Sequence, residues 1–336
     1  MRILIEITHP CHYHFYKNVI SELKKKGHNV LVTARDKDVL LELLKKGGID
    51  YLLLSEIGKG KLGVYWEFLR REMKLLKVAL RFKPDVITGI QNPGVAHVAW
   101  LLGKRSVVFS TSEHQRFMEK VTLPFVTEFI THSAFNKNVG KKQKWYDGYH
   151  ELAYLHPKRF RPNRRILKEY GLNEKKFIIL RLVSWQAHHD VGQGGIKDLR
   201  RLVKKLENVY PVYITSEMDV PEDLKKHVLK VPVEKIHSVL SYAALYVGEG
   251  AAMAAEAAVL GTPAIYTNTI KQGYMDDLER YGLLFNVNDS NTNKLLKLSN
   301  KLLKLKRAEW KKRKNKMLGA KMDVVPYVVD VLEGMK

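Results

Sequence analysis

The sequence predicts an α/β protein built from two open, parallel-sheet domains, and three observations carry that expectation. Short β-branched runs alternate with helical segments along most of the chain; the alternation runs through twice; and 336 residues at 45% hydrophobic content can bury two cores of moderate size.

The first series opens with RILIEI, a helix to Lys26, HNVLVTA, a helix near 37–46 and YLLLS. It continues through a long helix from Val64 to Phe82, the strand DVITGI, a helix over Val95–Leu102, RSVVFST and EFITHS. Strands separated by helices imply right-handed crossovers and a sheet covered on both faces, the doubly wound, Rossmann-like arrangement. The stretch HPKRFRPNRRILKEYG, with two prolines and many charges, reads as a connection. After it come KFIILRLV, PVYITS, HVLKV, ALYVGEG, TPAIYT and LLFNV, six expected strands, then helices over about 290–318 and 323–335. The expected organisation is a first domain over 1–156, a linker over 157–175, a second domain over 176–320 and a final helix over 321–336 that returns to the first domain. Ligands of such sheets bind beyond the carboxyl ends of the strands, so the facing loops of the two domains are expected to line one cleft.

The formal charge is +23, from 58 Lys and Arg against 35 Asp and Glu, so the surface attracts polyanions such as nucleic acid, anionic lipid or phosphorylated ligands. Between Lys294 and Lys316 there are eleven Lys or Arg and one acid, Glu309. Leucines alternate with the lysines there, so the run reads as a solvated helix face rather than a dedicated patch. No basic run interleaves aromatics as nucleic-acid binders do, which argues against that partner. The helix VYWEFLRREMKLLKVALRF, with Arg70, Arg71, Lys74, Lys77 and Arg81, has the makeup of a helix that docks on anionic membrane, although such apolar faces more often belong to the core. A single cysteine, Cys11, leaves no internal disulfide and no multi-cysteine zinc site. With no signal segment and no long apolar run, the expected location is cytoplasmic, with peripheral membrane contact as an option.

Four segments carry candidate chemistry. Gly248-Glu249-Gly250-Ala251-Ala252-Met253 follows a strand and opens a helix that bears Glu256 and ends at Leu260-Gly261-Thr262-Pro263. Small residues there let a phosphate or ribose reach the backbone, free N–H groups favour an anion, and the Glu256 carboxylate suits ribose hydroxyls. The alternative is tight helix-to-sheet packing with Glu256 in solvent. Arg181 to Gly195, RLVSWQAHHDVGQGG, leaves the first strand of the second domain and offers Ser184, Trp185, Gln186, His188, His189, Asp190 and Gly192, an arrangement suited to a diphosphate. Adjacent histidines rarely converge on one ion and no fourth ligand is evident, so no metal site is expected. The loop Thr8-His9-Pro10-Cys11-His12-Tyr13-His14-Phe15 holds three histidines within six residues, with His12 or His14 the candidates for a general base or a phosphate contact. Ser110-Thr111-Ser112-Glu113-His114 ends another first-domain strand, beside Gln91-Asn92-Pro93. Glu113 and His114 are acid or base candidates, against a reading in which Ser112 or Thr111 caps a helix. Tyr146, Tyr149, His150 and Glu151 suit either an acceptor site or a packed junction.

At these residues the sequence resembles the family grouped as domain of unknown function 354, along nearly the whole chain. The matching motifs are H-x-H-F at His12, His14 and Phe15, and K-x-x-G-H-x-V-x-V-T-A-R-D from Lys24 to Asp36. The rest are a T-E-H variant at Ser112, Glu113 and His114, G-Y-x-E-x-A-Y-L from Gly148 to Leu155, V-S-W-x-A-H-H-D-x-G from Val183 to Gly192, and G-x-G-x-x-M-A-x-E-A-A-x-L-G-T-P from Gly248 to Pro263. The family is similar to a branch of the GT-B group that includes UDP-N-acetylglucosamine 2-epimerases and the peptidoglycan N-acetylglucosaminyltransferase. The resemblance implies that Glu256 holds a nucleotide ribose, that Ser184 to Gly195 meets the diphosphate, and that the turn after Val231-Pro232 borders the base. Where the epimerases carry H-G-D after the strand that follows K-P-D, this chain has Gly89-Ile90-Gln91, which argues against epimerisation.

The resulting expectation is a GT-B glycosyltransferase, without a tightly bound cofactor or metal, that moves a sugar from a nucleotide donor, UDP-linked by the resemblance, to a carbohydrate or lipid-linked acceptor. A 2-epimerase is the alternative, and a nucleic-acid-binding protein the second alternative.

Overall fold

The computed structural model describes residues 1–58, 60–183 and 195–335. It divides into two compact units, one formed by Met1–Tyr154 with the chain from Lys321 onward, the other by Leu155–Ala320.

In the first unit, strands β1 (Arg2–Ile7), β2 (Asn29–Asp36), β3 (Leu52–Glu56), β4 (Val86–Ile90), β5 (Arg105–Ser110), β6 (Glu128–His132) and β7 (Gln143–Tyr146) form one parallel sheet in the order β3-β2-β1-β4-β5-β6-β7. Helices α1 (Pro10–Lys25), α2 (Leu40–Lys46), α3 (Gly60–Phe82), α4 (Pro93–Leu101) and α5 (Arg116–Thr122) connect them, and the short α6 (Leu152–Leu155) follows β7. All five residues of β4 and the last five of β1 are buried, which is why these strands are continuous apolar runs rather than alternating ones.

The second unit begins with α7 (Arg165–Glu169). Its strands β8 (Ile178–Leu182), β9 (Val212–Ser216), β10 (Leu245–Gly248), β11 (Ala264–Tyr266) and β12 (Leu284–Asn286) form a parallel sheet in the order β12-β11-β10-β8-β9. Helices α8 (Leu199–Glu207), α9 (Ile236–Tyr242), α10 (Ala251–Leu260), α11 (Gly273–Arg280), α12 (Thr292–Leu303) and α13 (Arg307–Ala320) cover it. The last helix, α14 (Val324–Glu333), lies in the first unit, where Arg105 donates to the Leu332 carbonyl at 3.1 Å and Lys26 and His28 meet Glu333 at 2.7 Å each. The fold class read from the sequence, two parallel α/β sheets, is therefore found.

Strand order reverses at β1/β4 in the first sheet and at β8/β10 in the second. At such a point successive crossovers leave on opposite faces, and the strand ends border a crevice.

Three local expectations need correction. HVLKV is not a strand: Glu222–His227 form a 3₁₀ turn, Val228 makes a single bridge to Ile214, and Pro232, which has no N–H, lies just beyond. The edge strand β7, QKWY, was not expected, because its two central residues are exposed and polar–aromatic alternation hides it. The helix over 290–318 is two helices, parted at 304–306 without Gly or Pro; Leu305 packs on the core, and the Arg313 and Lys314 side chains tie α13 to the Gly282 and Leu260 carbonyls. The lysines of α12 are exposed while Leu295 and Leu302 are buried, the solvated face foreseen for that run. Residues 157–175, read as a linker, lie within the second unit, which begins at Leu155, and there Ser238 accepts the Asn163 N–H at 3.1 Å.

Beneath the first sheet runs a buried ionic chain. Arg71 of α3 reaches Glu6 of β1 and Glu67, at 3.2 Å each, and Glu67 also accepts from Arg35 and Ser55 at 2.5 Å. Burial raises the Glu6 pKa, and Arg71 opposes the rise. Removing one partner of a buried pair strands the other, so Arg71→Met is expected to cost about 3–5 kcal/mol. A carboxyl with a raised folded pKa stabilises the fold at low pH and loses that contribution as pH rises through the folded value. The deficit is therefore expected to shrink as pH falls toward about 5. Denaturant titrations of both proteins at acidic and alkaline pH test this; a pH-independent deficit would contradict it.

Candidate functional site

At the reversal point of the second sheet, β8 and β10 pair in register with Gly248 beside Arg181. A Cβ on Gly248 would stand 2.4 Å from Tyr246 Oη and 2.7 Å from Arg181 Cβ, so only glycine lets this strand end pass between those side chains. Gly250 then serves as N-cap of α10 and, among the described residues, no side chain caps the first turn of that helix. The backbone N–H groups at Ala251, Ala252 and Met253 and the positive end of the helix dipole thus stand at the crevice, an arrangement that favours an anion.

Glu249 does something the sequence did not indicate. Its carboxylate is 2% exposed and accepts the Val183 N–H at 3.1 Å and the Ile196 N–H at 2.7 Å, so one side chain holds the chain on both sides of the span 184–194. Asn268, buried after β11, donates to the Glu249 carbonyl at 3.1 Å and accepts the Ile270 N–H. Glu249, expected as a ligand contact, thus has its carboxylate engaged by these two amides.

Glu256 does not point to solvent. It is 7% exposed, and Nε2 of the buried His237 lies 3.0 Å from Oε1. His237 was missed: it is a lone histidine nineteen positions from its partner, and no spacing rule links the two. It sits at the start of α9, just after the Val231-Pro232 turn. Arg181 forms an ion pair with Glu217, and Met253 Sδ accepts from Thr215 Oγ1 at 3.9 Å. Ser184, Trp185, His188, His189, Asp190 and Gly192 lie outside the described residues.

In the first unit, the reversal point gathers the loop after β1. His9 caps α1 by accepting the Cys11 N–H at 3.3 Å, and His12 Nδ1 lies 3.3 Å from Thr8 Oγ1. Burial, aided by neighbouring histidines, holds His12 well below the usual imidazole range, so it is neutral at physiological pH. That is the protonation state of a base, though of a weak one. His14 stacks on Tyr154 at 5.1 Å, and His150 stacks on Phe15 at 4.4 Å while its Nε2 lies 3.2 Å from the Cys11 carbonyl. Tyr146, Tyr149, His150 and Glu151, expected to form an acceptor site or a packed junction, are all buried.

After β5, Glu113 is buried, with Oε1 accepting the Asn136 N–H at 3.3 Å and its carbonyl accepting from Lys137. His114 is exposed, and Gln115 rather than Ser112 or Thr111 precedes α5. Gln91, at the end of β4, has a left-handed backbone (φ 46°) and donates its amide to Ser110 Oγ and the Ser112 carbonyl, each at 3.4 Å. These bonds link the ends of β4 and β5.

The model of one protein family matches residues 1–332. The chain belongs to that family, described as protein of unknown function DUF354. A protein of Methanocaldococcus jannaschii, described as uncharacterised, is 24% identical over 278 residues, which is 78% of this chain and 80% of its own length. Among solved structures, UDP-GlcNAc 2-epimerase from Neisseria meningitidis, bound to UDP-GlcNAc, is similar with a TM-score of 0.69 at 12% identity, over 100% of both chains. UDP-GlcNAc 2-epimerase from Methanocaldococcus jannaschii gives 0.68 at 16% identity over 91% of this chain and 94% of its own. The spinosyn rhamnosyltransferase SpnG gives 0.64 at 14% over 99% and 100%. The fold is thus the one shared by these epimerases and GT-B glycosyltransferases.

Replacing Glu249 with Ala leaves the Val183 and Ile196 N–H groups without their acceptor, at about 1–3 kcal/mol each. Faster amide exchange at both positions and a lower Tm are expected, with Glu249→Gln intermediate because one acceptor oxygen remains. Unchanged exchange at Val183 and Ile196 would show that the clamp is not energetically real.

Proposed function

We propose that the protein is a GT-B glycosyltransferase whose second unit grips the diphosphate and ribose of a UDP-linked sugar. The observation that carries this reading is the N-terminus of α10, which no side chain caps among the described residues and which is reached through the close passage at Gly248, with Glu256 buried in the same helix against His237. Backbone N–H groups and the helix dipole act on the leaving diphosphate, Arg181 adds positive charge from the adjacent strand end, and no metal is needed. Oxygens of Glu256 accept from ribose hydroxyls, and His237 fixes the carboxylate's rotamer. The first unit supplies the base for the acceptor hydroxyl, His12, His14 or Glu113. Ser184 to Gly192 would complete the diphosphate contacts.

A lipid-linked acceptor accords with α3, on which Leu62 is 77% and Trp66 58% exposed beside the cationic Arg70, Lys74 and Lys77. Apolar and aromatic groups interspersed with cations suit an anionic membrane surface.

The similarity to 2-epimerases favours a second reading in which the same nucleotide sugar is epimerised without an acceptor. Against it stands Gln91: at the position of the expected aspartate there is a carboxamide, which exchanges no proton near neutral pH and whose N–H groups are engaged by Ser110 and Ser112.

A ligand bound only by the folded state raises the melting temperature. UDP and UDP-N-acetylglucosamine are expected to raise Tm, and Glu256→Gln to weaken that binding by about tenfold while preserving the fold. Absence of any shift with a panel of nucleotides and nucleotide sugars would refute the proposal. Epimer formed from UDP-N-acetylglucosamine alone would select the second reading.

A further inference from the structure

A cavity of about 420 Å³ opens in the second unit at the other end of its sheet, where chain approaches the strands. Lys175 precedes β8, Tyr210 precedes β9, Ala244 precedes β10 and Pro263 precedes β11, and residues between Leu302 and Lys314 close the space. Its size falls among small-molecule sites.

Four cations line it, Lys175, Arg307, Lys311 and Lys314, and among the described residues no acid does. The two part-buried lysines are hydrogen-bonded but not neutralised. Lys175 Nζ donates to the Ser241 and Ala243 carbonyls at 2.9 and 2.8 Å and to Thr262 Oγ1 at 3.1 Å; Lys314 Nζ donates to the Leu260 carbonyl at 3.0 Å. Those carbonyls end α9 and α10, so each ammonium caps a helix C-terminus. Carbonyl dipoles solvate a cation without cancelling its charge. Glu174, the carboxylate that acts on Lys175, is itself held by Arg164 at 2.8 Å and Arg307 at 2.7 Å. Positive charge is thus concentrated in one concavity whose remaining wall is apolar and aromatic, with Leu302, Leu305, Trp310 and Tyr242.

We propose that this cavity is a second ligand site, separate from the Gly248–Glu256 crevice, for a phosphomonoester with an apolar or aromatic body. Among the described residues Lys175, Lys311 and Lys314 form no ion pair; three such cations favour a dianion over a monoanion, and the phosphate, which carries about −1.5 to −2 at neutral pH, supplies it. The ring or chain lies against Trp310 and the leucines. Because the cations come from α13 and from the segment before β8, the ligand also ties α13 to the sheet.

Lys175 gives the site a pH signature. Burial, with Arg307 and Lys314 nearby and Glu174 opposing them, pushes it down to about 7. A bound phosphate favours the charged ammonium, so binding takes up a proton and weakens as pH rises above about 7, where the phosphate itself stays largely dianionic.

Calorimetry with phenyl phosphate as probe tests the assignment on the full chain. Saturable binding is expected, tighter than for inorganic phosphate, with proton uptake at neutral pH. Lys311→Glu, at an exposed position, is expected to weaken it by about tenfold or more. Lys297→Glu on α12, an identical charge change outside the cavity, and Glu256→Gln in the other crevice are expected to leave it within about twofold. Equal weakening by Lys297→Glu and Lys311→Glu would reveal only diffuse attraction to a basic surface, and loss in Glu256→Gln would place the probe in the other crevice; either result, or an absence of saturable binding, overturns the proposal.

Discussion

Much of the second unit depends on how closely β8 and β10 approach at their carboxyl ends. Gly248 must pass between Tyr246 and Arg181 with no room for a methyl group, and only then does Glu249 reach the amides of Val183 and Ile196. That one carboxylate satisfies backbone groups that would otherwise be orphaned beside the sheet, and in doing so fixes where chain leaves β8 and where it returns toward α8. The same passage delivers Gly250 as the helix cap. The direction of α10, and with it the placement of Glu256, therefore follows from a steric constraint two residues upstream.

Charge is handled differently in different places. In the first unit a chain of alternating signs, Arg35, Glu67, Arg71 and Glu6, lies buried beneath the sheet and is balanced by its own members. In the second unit the cations around Lys175 and Lys314 are satisfied chiefly by helix-terminal carbonyls, with carboxylates on the periphery. The first arrangement is self-contained, whereas the second leaves a field for an anion to complete. The +23 formal charge is thus not one feature: exposed lysines on α12 solvate a helix, while those near Lys175 shape a cavity.

The two reversal points also differ in character. In the second unit the strand ends offer backbone and small residues. In the first they offer histidines, of which His12 is kept neutral by burial, and an amide, Gln91, that spends its hydrogen bonds on the neighbouring strand end. A crevice of exposed N–H groups suits an anion, and one of neutral imidazoles suits proton transfer or stacking.

The sequence by itself determined the fold class, the two successive α/β series and the small-residue turn before Glu256, because each is written in local periodicity and local sterics: buried strands are apolar runs, and a crowded strand end needs glycine. It also exposed the α12 lysines as a solvated face, since the leucine spacing there is itself local, but not that Arg313 and Lys314 of the same run bind the Gly282 and Leu260 carbonyls. Only the tertiary structure decided that HVLKV stays out of the sheet, that Glu249 clamps amides sixty-six and fifty-three positions away, that His237 meets Glu256, and that four cations share one cavity. Such partnerships are set by which strands become neighbours after crossovers, and a side chain's partner across a sheet or between helices leaves no periodic trace along the chain.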